Sequence, residues 1–122
     1  MTFWATWCPY CLKELPILEN IQNRVGKDKI EVIALNWKED RDTYRAVRRA
    51  LKDLTLTLTS DGTGRIGDAY GVEAIPYMLM IGKDGRIDSV RRGYSEDDLG
   101  DIAADLNRLL NAPAASAATA EI

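Results

Sequence analysis

The sequence contains no histidine, which removes every catalytic pair in which an imidazole activates a serine or cysteine. It holds only two cysteines, Cys8 and Cys11. A zinc site of the usual Cys/His kind therefore cannot be completed within one chain, and only half of a site shared between two chains is left open. Two cysteines are too few for a disulfide-rich scaffold. The loop between them is so short that a bond would restrict the unfolded chain very little. A basic excess is also missing: 16 Lys and Arg against 19 Asp and Glu give a net charge of −3, so the clustered positive charge expected of a nucleic-acid partner is not there. No apolar run approaches the roughly 18 residues that a membrane-spanning helix needs. Nor does the N-terminus show the basic region and apolar stretch of a signal peptide.

What is present describes one small α/β domain. A chain of 122 residues with 46% hydrophobic and 29% charged residues can bury a working core without metals or multiple disulfides. The segment Met1 to Ala5 reads as the tail of a strand that begins abruptly. A helix follows from about Cys8 to Val25, with Leu12, Leu15, Ile17, Leu18, Ile21 and Val25 approximating one face. Pro16 lies inside it and predicts a kink or break. Ile30 to Asn36 reads as a buried strand, and Asp40 to Lys52 as a helix with Tyr44, Val47 and Leu51 as its stripe. Leu54 to Thr59 alternates Leu and Thr, as an extended segment with one wet face does.

Thr63 to Tyr70 predicts a short helix ended by Gly71. Tyr77 to Ile81 and Arg86 to Arg92 form a hairpin through Gly82-Lys83-Asp84-Gly85. A last helix starts at Ser95, with Asp98 in capping-box position, and presents Leu99, Ile102, Ala103, Leu106 and Leu110 to the core. The order of elements predicts helices flanking a mixed sheet. The domain spans residues 1–111, and the alanine-rich stretch 112–122 reads as a disordered tail.

The chemistry concentrates in Trp7-Cys8-Pro9-Tyr10-Cys11. At a strand-to-helix junction the first thiol meets unpaired backbone N–H groups and the positive end of the helix dipole, both of which favour a thiolate. A thiolate is the species that attacks a disulfide. The second thiol, one turn on, is placed to resolve the mixed disulfide. Pro9 suits the first helical position, where its missing donor costs nothing.

These residues resemble the thioredoxin superfamily, and within it the TlpA/ResA-like thiol–disulfide oxidoreductases. The likeness extends to Phe3-Trp4-Ala5-Thr6 ahead of the cysteines, to Tyr70-Gly71-Val72-Glu73-Ala74-Ile75-Pro76, and to Met78 through Ile87. It covers most of residues 3 to 110. The resemblance implies a thioredoxin-like fold, a redox disulfide Cys8–Cys11, an exposed nucleophile in Cys8 and a buried resolving thiol in Cys11. It implies a cis bond at Pro76 beside the cysteines, with the backbone of Ile75 free to pair with an extended partner. Glu14 matches an acidic residue kept near the thiols, a proton shuttle or tuner of Cys11. The buried aspartate of thioredoxins is replaced here by Thr2, which shifts acid–base weight to Glu14. Tyr77 stands where threonine is commoner.

No cofactor or metal is implied. The implied partners are protein thiols and disulfides and an upstream redox partner, with this chain a reductant in an extracytoplasmic compartment, for instance in cytochrome c maturation. The Pro9-Tyr10 centre, typical of glutaredoxins, keeps a glutathione-dependent reductase as the alternative, and a binding module without turnover as another. Family members also precede the Phe-Trp-Ala motif with a longer strand and an extension. Either upstream sequence, with any signal or anchor, is missing here, or self-association covers exposed sheet.

Plainer readings stand beside these. Cys8 and Cys11 can be two buried apolar thiols, and Glu14 a solvated helix residue. Trp7 reads equally as core packing or as shaping a partner surface, and Tyr10 as an exposed ring contacting the partner. Trp37 and Tyr44 read as core or rim. Ser95 to Asp98 is a helix start, and Arg91 and Arg92 are solvent-facing strand ends.

Overall fold

The shortest strand takes the central place in the sheet. A computed structural model describes residues 1–112, and its elements are β1 (Thr2–Trp4), α1 (Pro9–Val25), β2 (Ile33–Trp37), α2 (Arg41–Ala50), β3 (Thr57–Asp61), α3 (Arg65–Ala69), β4 (Tyr77–Ile81), β5 (Ile87–Arg92), a 3-10 turn at Glu96–Asp98, and α4 (Leu99–Leu110). The strand order is β3-β2-β1-β4-β5. β1 pairs parallel with β2 and antiparallel with β4, so its three residues join the parallel and antiparallel halves. The predicted tail at 113–122 lies outside the described residues.

Alternation along the strands sorts the core into two layers. Trp4, Ala34, Met78 and Met80 face one side, where Leu15 and Leu18 of α1 and Ile102 of α4 cover them. Phe3, Leu35, Trp37, Tyr77 and Leu79 face the other, with Val72. The two crossovers β1-α1-β2 and β2-α2-β3 step the same way across the sheet, which puts both helices on one face. Accordingly Val47 and Leu51 pack on the first layer.

Several predicted features move. α1 runs unbroken through Pro16. Pro16 and Leu12, whose carbonyl loses its donor, are both exposed, so water can satisfy that carbonyl. The buried face of α1 is Cys11, Glu14, Leu15, Leu18 and Gln22. Leu12, predicted apolar-facing, is exposed, and two polar side chains take places in the core instead.

Gln22 is fully buried, and its amide is satisfied on both ends. It accepts from the Val32 N–H at 2.8 Å and donates to the carbonyl and hydroxyl of Thr55 at 3.2 and 3.0 Å. It thereby ties α1 to the segments that lead into β2 and β3.

β3 begins three residues later than the Leu/Thr alternation predicts, because its register follows β2, with Ile33 opposite Thr57 and Trp37 opposite Asp61. Leu56, outside the strand, is a core residue all the same. α2 is shorter at both ends than predicted and is capped by Asp40, whose carboxylate accepts from the Thr43 N–H at 2.7 Å. Ser95 caps the 3-10 turn through the Asp97 N–H at 3.2 Å, and Asp98 makes no side-chain cap. The capping box therefore does not form at the start of α4. Ala103 is exposed, and Leu109 packs in its stead. Arg91 is not solvent-facing but binds Asp105 of α4 at 2.7 Å, fastening that helix to β5.

Candidate active site

Cys8 is the residue where β1's loop becomes α1. Its backbone is extended (φ −104°, ψ 100°), Pro9 occupies the first helical position, and the Cys8 sulfur accepts the Cys11 N–H at 3.2 Å. A sulfur cap is what the dipole argument requires, because it puts partial positive charge beside the atom that carries the thiolate after reduction. Cys8 and Cys11 form a disulfide with their Cα atoms 5.2 Å apart. Cys11 is fully buried and Cys8 is 4% exposed. The sequence expects an exposed Cys8, whereas in this oxidised form Cys8 is buried along with Cys11: both belong to the core layer formed by Trp4, Leu15 and Met78.

The surface above them is aromatic. Trp7 and Tyr10 are 62% and 55% exposed, which settles Trp7 against core packing. Tyr10 stacks on Tyr94, with ring centroids 6.0 Å apart and planes at 26°. The Lys13 ammonium lies 5.7 Å from the Tyr10 ring centroid. Tyr94 follows Gly93, whose N–H donates to the Pro76 carbonyl at 2.8 Å. One hydrogen bond and one ring stack thus bring the end of β5 to the rim that Tyr10 and Pro76 share.

The Ile75–Pro76 bond is cis, and Pro76 is buried. Ile75 packs against the layer that holds both cysteines. Among the described residues, neither its N–H nor its C=O has a hydrogen-bond partner. The apolar cleft lined by Leu18, Ile21, Met80, Leu106 and Leu109 contains none of these residues.

Glu14 is buried, at 5% exposure, one turn beyond Cys11. The Thr2 hydroxyl donates to its carboxylate at 2.6 Å. Burial pushes the Glu14 carboxyl above its ordinary value, and the Thr2 hydroxyl and Met1 ammonium offset part of that rise. Thr2, unable to act as an acid, instead holds the acid that α1 supplies.

Sequence reasoning missed Tyr94 and Glu39. Glu39, between β2 and α2, accepts from the Thr6 N–H at 2.7 Å, the Thr6 hydroxyl at 2.5 Å and the Asn36 amide at 2.8 Å. No periodic pattern signals a contact between a three-residue loop and a carboxylate 33 positions later.

Comparison with known proteins agrees with this architecture. The chain is 35% identical over 89 residues to a thiol-disulfide oxidoreductase ResA from Bacillus thuringiensis subsp. konkukian, an alignment that takes in 71% of this chain and 50% of that protein. It is 33% identical over 87 residues to the thiol:disulfide interchange protein DsbE of Vibrio cholerae, covering 71% of this chain and 45% of the relative. The chain thus spans about half the length of the curated relatives it matches.

A thiol-disulfide isomerase from Corynebacterium glutamicum has the same fold, with a TM-score of 0.76, 20% identity, and coverage of 92% of this chain and 79% of that one. StoA from Bacillus subtilis superimposes with a TM-score of 0.69 at 22% identity, over 87% of this chain and 78% of that one. The Redoxin family model matches residues 1–106. With a thioredoxin-like fold, a paired Cys8–Cys11 at a helix start and that match along most of its length, the chain belongs to the Redoxin family.

Proposed function

We propose that this chain is a thiol–disulfide oxidoreductase domain that exchanges two electrons with protein dithiols and disulfides, acting as a reductant. The observation that carries the reading is the Cys8–Cys11 disulfide at the N-terminus of α1, with the Cys11 N–H aimed at the Cys8 sulfur. In the reducing direction the Cys8 thiolate attacks one sulfur of a partner disulfide. A Cys8–partner bond forms, and the other partner sulfur leaves as a thiolate that takes a proton from solvent. Cys11 then loses its proton and attacks the Cys8 sulfur, so the partner departs with its second thiol and the Cys8–Cys11 bond closes. Two electrons pass from the domain to the partner.

Glu14 is the group assigned to take the Cys11 proton. It stands one helical turn away on the buried face of α1, and a raised carboxyl is better matched to a thiol than an ordinary one. Trp7, Pro9 and Tyr10 supply the exposed contact surface. The unpaired backbone of Ile75 offers a partner strand its hydrogen bonds. The broad exposed rings of Trp7 and Tyr10 favour a polypeptide over a small thiol. On the strength of the ResA- and DsbE-type relatives we place the domain in an extracytoplasmic compartment, with an upstream dithiol protein restoring its reduced state.

The test is reduction of insulin with a thiol reductant as the electron source, run beside a Cys11→Ser variant. The expected result is turnover by the wild-type chain and a trapped Cys8–partner disulfide in the variant. No turnover and no trapped adduct would refute the reading.

A further inference from the structure

We infer that Glu39 is a positioning residue for the redox pair, its carboxylate fastening the loop that carries Cys8. The inference rests on the redox reading above. Three donors converge on this one side chain: one oxygen accepts the Thr6 N–H at 2.7 Å and the Asn36 amide at 2.8 Å, and the other accepts the Thr6 hydroxyl at 2.5 Å. Asn36 is fully buried in β2, where it pairs with Trp4, the last residue of β1. The carboxylate therefore ties the active-site loop, which leaves the end of β1, to the end of β2.

Only Ala5, Thr6 and Trp7 separate Trp4 from Cys8, and the Cys8 N–H closes back on the Ala5 carbonyl at 3.2 Å. With Thr6 held through both its backbone and its side chain, Cys8 is fixed from the loop side as α1 fixes it from the helix side. An unfavourable backbone conformation stands next to this contact in the chain. Lys38, the residue before Glu39, is the only non-glycine at positive φ (55°) among the described residues, and the left-handed region is costly for such a side chain. Asp40, the residue after it, is committed to capping α2. A left-handed turn and a three-donor carboxylate, adjacent in sequence, thus meet the catalytic loop, and the Lys38 N–H anchors the turn itself by donating to the Asp61 carbonyl of β3 at 2.9 Å.

The consequence is chemical. The tendency of a dithiol to close depends on the effective concentration of one sulfur at the other, which falls when either is freed. Loosening the Cys8 loop therefore disfavours the Cys8–Cys11 disulfide relative to the dithiol and makes the domain more oxidising.

The experiment equilibrates the folded protein with glutathione and glutathione disulfide and reads the exchange constant. The wild-type chain is compared with Glu39→Ala, Glu39→Gln, Thr6→Val and, as a control remote from the loop, Gln22→Ala. Glu39→Ala is expected to lower the constant about tenfold, equivalent to ~30 mV for a two-electron couple. Glu39→Gln should lie closer to wild type, because the glutamine oxygen can keep the two N–H donors while its NH2 donates to the Thr6 hydroxyl. Thr6→Val, which keeps the backbone bond, is expected to give roughly a threefold loss. Gln22→Ala should lower the melting temperature without moving the constant, so a change that tracks only stability is recognised as such.

A Glu39→Ala constant within about threefold of wild type overturns the inference; should that variant not fold, a Thr6→Val constant within about 1.5-fold does so. A wild-type chain that does not exchange with glutathione at all would instead refute the redox reading itself.

Discussion

Glu14 carries a stability signature that can be read independently of catalysis. Its carboxyl is 5% exposed and has one hydrogen-bond donor, the Thr2 hydroxyl at 2.6 Å. Desolvation raises its pKa in the folded protein above that of the unfolded chain. Between those two values the native state binds more protons than the unfolded state, so stability falls as pH rises through the window and levels off above it.

Glu14→Gln keeps an acceptor for Thr2 and removes the charge. Leaving a buried group incompletely satisfied costs about 1–3 kcal/mol and more when it is charged. The variant should therefore gain on the order of 1–3 kcal/mol over wild type at pH 8 relative to pH 4. For a domain of this size that is roughly 5–15 °C in Tm. The assay is thermal unfolding of the oxidised protein by circular dichroism from pH 4 to 8.5, with the Tm difference between variant and wild type plotted against pH. A difference that stays constant over that range, or that turns against the variant as pH rises, would refute the assignment of a destabilising buried carboxylate.

Reduced protein titrated with iodoacetamide should show Cys8 alkylated well below pH ~8.5, the free-thiol value, and ahead of Cys11, with modified cysteines mapped by mass spectrometry; Cys11 reacting first would reverse their roles. Gln22→Ala removes the bridge from α1 to the Val32 N–H and to Thr55 and is expected to cost about 2–4 kcal/mol, measured by urea unfolding. Tyr94→Ala removes the stack on Tyr10 and should raise KM for a protein disulfide about two- to tenfold, with kcat changing less. A fall confined to kcat would show that Tyr94 acts on the chemistry and not on docking.

Local patterns announced much of this molecule, and the reason is that they are local. The pair Cys8 and Cys11 three positions apart, Pro9 at the first helical position, the hairpin turn at Gly82 to Gly85 and the helix ending before Gly71 each depend on neighbours within one turn. The strand Tyr77–Ile81 has the bounds its apolar run predicts. The family resemblance added Pro76, which no pattern would have singled out. Tertiary structure decided what depended on distant partners. β3 took its register from β2 and not from its own alternation. Glu14 and Gln22 went inward against their polarity because Thr2, Val32 and Thr55 met them there. Arg91 found Asp105 on a helix that the sequence could place but not orient.

Around the disulfide the division is sharpest. The sequence by itself determined which two sulfurs can pair and that a helix begins beside them. Only the fold decided that Tyr94 would join the rim and that Glu39, 33 residues from Thr6, would hold the loop. Such contacts form when separate elements are packed against one sheet, and packing leaves no periodic trace in the residues that make them.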